Sequence, residues 1–328
     1  MSFSIGGLTD YVEQNKLPLL TTAVFDAKTQ TLMQKRVGVK NQEALNLMDT
    51  DAVFQSATAC AWVANGTTTF SQRVISVARV KVQEELCPRE LETKWLATQL
   101  SQGSNYEGVP FEQAFATQKA KKIAANIETA IWQSTSATGA SGWTGSSASI
   151  SGDATLNKTV GLLHLMEKTT ASASIVSSLA GAAFSDATIV SAFENVYQNI
   201  PVAIVSRPDL VAFCGWDVYR LLANKLVSEN LFQGDLGQLG GGEMFYPGTN
   251  LKIVAVNGMN NTRRIVATSL ENLYYGTDLL SDEDQFRIWA SYDNDQVRFQ
   301  AAFKYGVQFA FPEQMVLYKA SNATTPAG

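Results

Sequence analysis

Histidine is almost absent from this sequence: of 328 residues, His164 in LLHLMEK is the single one. A Ser/His/Asp relay needs a histidine beside its nucleophile, and HExxH helices and most zinc sites need more than one, so these chemistries are nearly excluded. His164 itself reads as a helix-surface residue. Cysteine is scarce as well. Cys60, Cys87 and Cys214 are odd in number, far apart and in no CxxC pair, which argues against a disulfide framework or a thiolate metal site and fits a reducing cytoplasm. No apolar run approaches the ~18 residues needed to cross a bilayer, and MSFSIGGLTDYVEQNK lacks the basic-then-apolar order of an export signal. A soluble, non-exported chain is expected. A basic excess is missing too: 25 Lys and Arg face 30 Asp and Glu, for a net charge of −5 and a pI near 5.1, unlike a dedicated nucleic-acid binder.

Common site motifs are also missing. Neither GxSxG nor GxxxxGK[ST] occurs. The run GDLGQLGGGE at 234–243 has the wrong spacing for GxGxxG and follows the helical-looking LLANKLVSENLF, so it reads as a loop. In SDEDQ, the carboxylates of Asp282, Glu283 and Asp284 could hold a hard cation or serve a carboxylate-dependent enzyme. They directly precede the strand-like FRIWA, however, and read as a solvated turn. No catalytic, cofactor-binding or metal-binding residue is assigned, and a non-enzymatic protein without cofactor is expected.

What is present is long periodic order. The composition, 45% hydrophobic and 17% charged, is that of a folding globular chain with room for about two domains. From Val297 to Phe311 every odd position is apolar (Val297, Phe299, Ala301, Phe303, Tyr305, Val307, Phe309, Phe311), while Arg298, Gln300, Ala302, Lys304, Gly306, Gln308 and Ala310 fill the even ones. That pattern predicts one half-buried strand of about 50 Å, far longer than the usual five or six residues. A second long element precedes it. In VPFEQAFATQKAKKIAANIETAIWQS, Phe111, Phe115, Ile123, Ile127 and Ile131 recur at helical spacing, Ala120 and Ala124 fill the same side, and Lys119, Lys121, Lys122 and Glu128 lie around the remainder. Pro110 and Glu112 mark its start, and Phe111 to Gln133 would span about 34 Å. The odd face of the strand is expected to pack on the apolar face of the helix.

Other segments fall around these two. Residues 1 to about 50 read as an arm, with Lys28, Lys35, Arg36 and Lys40 unaccompanied by acids between Ala27 and Gln42; solvated charges or a polyanion contact are both open readings. In residues 69–95, Val74, Ala78, Val80 and Val82 alternate with Arg73, Ile75, Val77, Arg79 and Lys81, giving two partly apolar faces, one of them basic. Such a segment is poorly covered by its own domain and is expected to project toward another chain. STSATGASGWTGSSASISG at 134–152 is uncharged and expected to be an exposed loop. Beyond it the chain alternates like an α+β domain: a helix capped by Ser185 with Ile189, Phe193, Val196 and Ile200 on one face, the strand DLVAFCG, a helix over 215–232, then NLKIVAVNG, RRIVATS and a hairpin from DQFRIWA through SYDND into the long strand.

This order of parts resembles the major capsid proteins of tailed bacteriophages, whose Hong Kong 97-like fold is shared by encapsulins. Nearly the whole chain takes part: arm, VISVARVKVQEELCPRELE, PFEQAFATQKAKKIAANIETAIW, the α+β segment, and FRIWASYDNDQVRFQAAFKYGVQFAFPEQMVLY with its Gly-Val pair and following proline. The resemblance implies an α+β capsid fold divided into an N-terminal arm (1–54), an extended loop (55–105), a peripheral domain with the spine helix (106–184 and 281–328) and an axial domain (185–280). It implies self-assembly through pentamers and hexamers into an icosahedral or prolate shell in the virion, built in the host cytoplasm. Scaffolding, portal and decoration proteins are implied partners, and packaged double-stranded DNA would meet the inner face without sequence preference. GDLGQLGGGE would lie at the axial tip, near the five- and six-fold centres. An encapsulin-type compartment is the alternative of the same fold. No long heptad leader is seen, so a fused scaffolding domain is not expected. No residue matches the lysine, asparagine and glutamate of cross-linked relatives, so covalent cross-linking is not carried over.

Overall fold

The computed structural model describes residues 28–55, 65–86, 111–134, 158–173, 177–229, 242–278, 287–291 and 296–321. In chain order the elements are α1 (Lys28–Leu32), β1 (Gln34–Val37), β2 (Gln42–Thr50), β3 (Thr68–Ser76), β4 (Ala78–Leu86), the spine helix α2 (Phe111–Gln133), α3 (Leu162–Ala173) and β5 (Ser177–Gly181). There follow α4 (Ile189–Gln198), α5 (Val202–Val205), β6 (Leu210–Cys214), α6 (Trp216–Ser228), β7 (Glu243–Phe245), β8 (Lys252–Ala255) and β9 (Arg264–Ser269). The chain closes with β10 (Leu273–Thr277), β11 (Arg287–Ser291), β12 (Gln296–Phe309) and β13 (Val316–Ala320).

The long strand exists because it serves several partners along its length. Residues 297–305 of β12 pair antiparallel with β4, residues 306–309 with β10, and residues 296–300 with β11. Beyond β10 the sheet ends on β1, which pairs parallel with it. Fourteen residues at ~3.3 Å each give a strand of about 46 Å. Phe299, Ala301, Phe303, Tyr305, Val307 and Phe309 are all buried in one core with Ala120, Ile123, Ile127, Ala130, Ile131 and Trp132 of the spine, which is the packing expected from the two stripes. The side chains of Phe111 and Phe115 lie outside the described residues.

The strand stops short of Phe311, which is partly exposed. Asn272 explains the stop: its Oδ1 accepts from the backbone N–H of Ala310 (3.0 Å) and of Phe311 (2.6 Å), and its Nδ2 donates to the Phe311 carbonyl (2.8 Å). A side chain thus takes the backbone groups that a neighbouring strand would have paired.

A six-stranded mixed sheet, in the order β5-β13-β9-β6-β8-β7, forms the second body. Its central strands β6 and β9 are buried at every position because both faces are covered. Leu210, Ala212 and Cys214 of β6 point into a core with Ile189, Phe193 and Val196 of α4 and Val218, Leu222 and Leu226 of α6. Val211 and Phe213 of the same strand join the spine core, and Phe213 tilts against Trp132 with ring centroids 5.2 Å apart. The C-terminal half of the spine is therefore wedged between the two sheets.

Five expectations are corrected. The sheets do not follow boundaries at 184/185 and 280/281: β5 and β13 belong to the six-stranded sheet and β10 to the five-stranded one, because β10 pairs with β1 and β12, and β13 with β5 and β9, instead of with their chain neighbours. Ser185 is not the side-chain cap of α4; its carbonyl accepts from the amides of Thr188 and Ile189, and the helix begins after Thr188. His164 is buried, since α3 is covered around Leu162, Leu163 and Met166 as well. Glu128 is buried too, where a position on the outer face of the spine was expected. Not every even position of β12 is open: Ala302 and Gly306 are buried, and Lys304 forms an ion pair with the buried Asp278.

These contacts set the cost of changes along β12. Phe309→Ala removes a wholly buried ring and is expected to cost about 3–5 kcal/mol, whereas Gln300→Ala, on the half-exposed face, should stay within about 1 kcal/mol. Chemical denaturation of the unassembled chain checks the pair, and equal losses would mean the register is wrong. Lys304→Ala should fall between them, because it leaves the carboxylate of Asp278 buried without its ammonium partner.

Candidate assembly surface

The projecting element is a hairpin, but not the one expected over 69–95. β2 pairs with β3 from Gln42↔Ser76 to Thr50↔Thr68, while β4 turns back into the main sheet on β12. The part of the expected arm at 42–50 thus supplies one of the two strands. The reason lies at residues 76–78: Ser76 ends β3, Val77 donates its N–H to the Asn41 carbonyl, and Ala78 begins the new pairing opposite Tyr305.

Only the root of the hairpin is buried. Leu45, Ile75, Val39 and Val77 form a small core on which Tyr274 packs. Gly306 of β12 is tied to this root: a Cβ there would stand 2.1 Å from the Ser76 carbonyl oxygen, so the two backbones could not approach as they do with any larger residue. Two side chains fasten the edges. Gln308 Nε2 donates to the Val74 carbonyl at 2.9 Å, and the Arg73 guanidinium lies 4.6 Å from the ring centroid of Phe309.

Beyond the root, no described residue covers either face of the hairpin. Met48 and Phe70, cross-strand partners, are 59% and 78% exposed, and Val53 and Phe54 beyond the strand end are exposed as well. Asn46 and Gln72, and Thr50 and Thr68, link the strands through their side chains. A two-stranded ribbon is marginal in water on its own, and clustered exposed apolar side chains mark a contact surface.

The other candidate surface is the side of the main sheet turned away from the spine. Arg79 and Lys81 stand there exposed on β4; Arg298 pairs with Glu85 at 2.9 Å, Lys304 with Asp278, and Trp289 of β11 is partly exposed. Register brings these residues onto one face: Arg79 lies opposite Lys304 and Glu85 opposite Arg298. On the spine side, Glu84 pairs with Lys119. Two basic residues of the expected arm are held in place. Lys28 pairs with Glu243 at 3.3 Å and the Arg36 guanidinium lies 5.6 Å from the Tyr274 ring centroid.

Among the described residues no group of three or more His, Cys, Asp or Glu side chains could hold a metal ion, and no helix is long and apolar enough to cross a membrane. Asp282, Glu283 and Asp284, and residues 234–241 of the glycine run, lie outside the described residues. So do Cys60 and Cys87. Cys214 is wholly buried, and that burial, with Asp217 nearby, pushes its thiol far above the ordinary range, so it is no nucleophile.

The sequence alone did not give four residues the roles they have here. Glu128 stands four residues after Ala124 and three before Ile131, so a carboxylate inside the apolar stripe was the available signal. Gly306 sits mid-strand, where glycine marks close backbone approach. Phe70 and Met48 could not be recognised as partners before the pairing of β2 with β3 was known.

No family model matches this sequence, and no curated protein matches it either. Solved structures do. Over 92% of this chain and 89% of that one, the fold matches a chain of the procapsid of satellite phage P4, solved with its size determination (Sid) protein, at 13% identity and a TM-score of 0.59. The capsid of an empty GTA particle matches over 90% and 89% at 12% identity and a TM-score of 0.55, and the capsid of Myoviridae phage XM1 over 89% and 91% at 10% identity and a TM-score of 0.54. A virus-like particle from Pyrococcus furiosus matches over 93% and 98% at 9% identity and a TM-score of 0.50. The chain has an α+β fold of the Hong Kong 97-like capsid type.

The hairpin root supplies a direct check. Gly306→Ala forces a methyl group against the Ser76 carbonyl and is expected to cost about 1–3 kcal/mol. Proteolysis inside residues 42–76 should accelerate more than global unfolding does, and unchanged cleavage would mean the hairpin is not anchored there.

Proposed function

We propose that this chain is the repeating subunit of a phage-type capsid shell: a structural, non-enzymatic protein of the virion that assembles with copies of itself. The observation that carries the reading is the hairpin of β2 and β3, a long ribbon with apolar side chains on uncovered faces, rooted on a rigid sheet. Among the described residues nothing packs on the Met48–Phe70 end of the ribbon. A second copy can supply that cover, through the heterologous contacts that close subunits into rings. The likeness to capsid chains over about nine-tenths of both lengths supports the same reading.

In finer terms, the shell is assembled from pentamers and hexamers and encloses double-stranded DNA. The hairpin acts as the extended loop, α2 as the spine, the five-stranded sheet as the peripheral domain and the six-stranded sheet with α4 and α6 as the axial domain. Portal, scaffolding and decoration proteins are the partners such a shell uses, and assembly takes place in the host cytoplasm. The likeness to the Pyrococcus furiosus virus-like particle favours a second reading of the same fold, an encapsulin-type compartment without DNA.

Purified particles separate the two readings. Nuclease-resistant double-stranded DNA inside particles made during infection supports the capsid, and a small closed particle with protein cargo and no DNA supports the compartment. Assembly itself is tested at the tip. Met48→Asp together with Phe70→Asp, both exposed in the lone subunit, should leave its unfolding midpoint nearly unchanged and reduce particle yield at least tenfold. Normal particle yield from that variant would remove the hairpin from the assembly contact. Arg79→Glu with Lys81→Glu should act more weakly and with a marked salt dependence, because exposed charges steer association and are screened.

A further inference from the structure

Three segments far apart in sequence meet at one turn of the spine helix. From the arm, the Thr29 backbone N–H donates to Glu128 Oε2 at 3.1 Å, and the Thr29 hydroxyl donates to Glu128 Oε1. Trp132, one turn along the spine, donates its indole N–H to Thr29 Oγ1 at 2.9 Å. From the other body, Gly258 presses on the same turn: a Cβ there would lie 2.3 Å from the Glu128 carbonyl oxygen and 2.4 Å from Trp132 Cδ1. Gln133 completes the contact by donating Nε2 to the Gly258 carbonyl at 2.7 Å. The side chain of Glu128 therefore holds the arm while its main chain seats the segment at 257–260.

The seat carries a built-in cost. Gln30, next to Thr29, is wholly buried, and neither its Nε2 nor its Oε1 has a hydrogen-bond partner among the described residues. An amide buried without partners gives up its bonds to water and gains none, so α1 is favoured in place by Thr29 and disfavoured by its neighbour. The electrostatics of Glu128 also depend on the arm. Burial pushes its carboxyl above the ordinary range, and the groups that pull it back are mainly the arm's own: the Thr29 hydroxyl and amide and the Lys28 charge, with the Gly258 amide adding to them. Lys28 in turn pairs with Glu243 on β7, which also pairs with Lys252 at 2.6 Å.

We propose that residues 28–33 form a metastable clasp, seated by Thr29 on Glu128 and Trp132, loosened by the unpaired amide of Gln30, and coupled through that turn of the spine to residues 257–260. Lifting the arm and loosening the contact between the two sheets' bodies are then one event. The proposal concerns the subunit alone and does not rest on its being a shell protein.

Hydrogen exchange on the full-length chain, with every variant held in the same assembly state, tests it through three segments: 29–33, 257–262 and, as reference, Leu210–Cys214. Gln30→Met replaces the amide by an apolar side chain of similar length and should slow exchange at 29–33 by about tenfold. Thr29→Val should speed exchange at both 29–33 and 257–262 by tenfold or more and leave Leu210–Cys214 unchanged, while Thr29→Ser, which keeps the hydroxyl, should behave as the parent. Faster or unchanged exchange at 29–33 in Gln30→Met overturns the metastability. Acceleration confined to 29–33 in Thr29→Val, or spread equally to Leu210–Cys214, overturns the coupling.

Discussion

Everything in this fold depends on the apolar stripe of the spine helix being covered from two sides. Ile123, Ile127, Ile131 and Trp132 have no polar alternative; each is worth about 1.5–3 kcal/mol when buried, and no single sheet could cover a stripe that turns around the helix. The odd-numbered side chains of β12 cover one flank, and Val211, Phe213, Val254 and Val266 of the six-stranded sheet cover the other. The helix thereby becomes the shared core element of two bodies that would otherwise have separate interiors. The buried pair of Arg264 with Glu167, 2.9 Å apart, ties α3 to β9 at the same boundary, with Lys319 of β13 nearby.

That arrangement frees the rest of the chain to be thin. A subunit whose stability is concentrated along one axis can leave a hairpin uncovered, because the ribbon contributes little to the core and is held only by Leu45, Ile75, Val39 and Val77. Polar fastening takes over where apolar area is short. Gln308 holds the Val74 carbonyl and Asn272 ends β12, and both devices fix backbone direction without needing a thick core.

Much of the fold was legible because it rests on period and length. The alternation of 297–311 and the helical spacing of 111–133 each express burial against one partner, and the structure bears this out from Phe299 to Phe309 and from Ala120 to Ile131. So do the apolar face of Ile189, Phe193 and Val196 and the strand Leu210–Cys214. The hairpin of β11 with β12 was legible, but pairing between strands distant in sequence was not. Val74 and Val80 look like one continuous two-faced strand, yet the chain leaves one sheet at Ser76 and enters another at Ala78, a change decided by Asn41 and Gly306, both distant in sequence. Sheet membership of β10 and β13 failed for the same reason. Of the candidate contact surface, the basic residues Arg79 and Lys81 could be named, but their place on the main sheet and the apolar tip at Met48 and Phe70 depended on the partner strand. Charge was the least readable property, since Glu128 and Lys119 occupy similar-looking positions and only tertiary packing separates a buried anchor from a half-exposed ion pair.

The close backbone contact at Gly306 makes the hairpin a lever with a short fulcrum. Nine residues of β3 extend about 30 Å from that point, so a tilt of about 10° at the root carries the tip through about 5 Å, the width of a strand. Such a tilt displaces Phe70 far more than it displaces Ile75, which sits beside the fulcrum. In the proposed shell, copies of a single sequence would in this way meet neighbours at different angles while most of each interior stays the same.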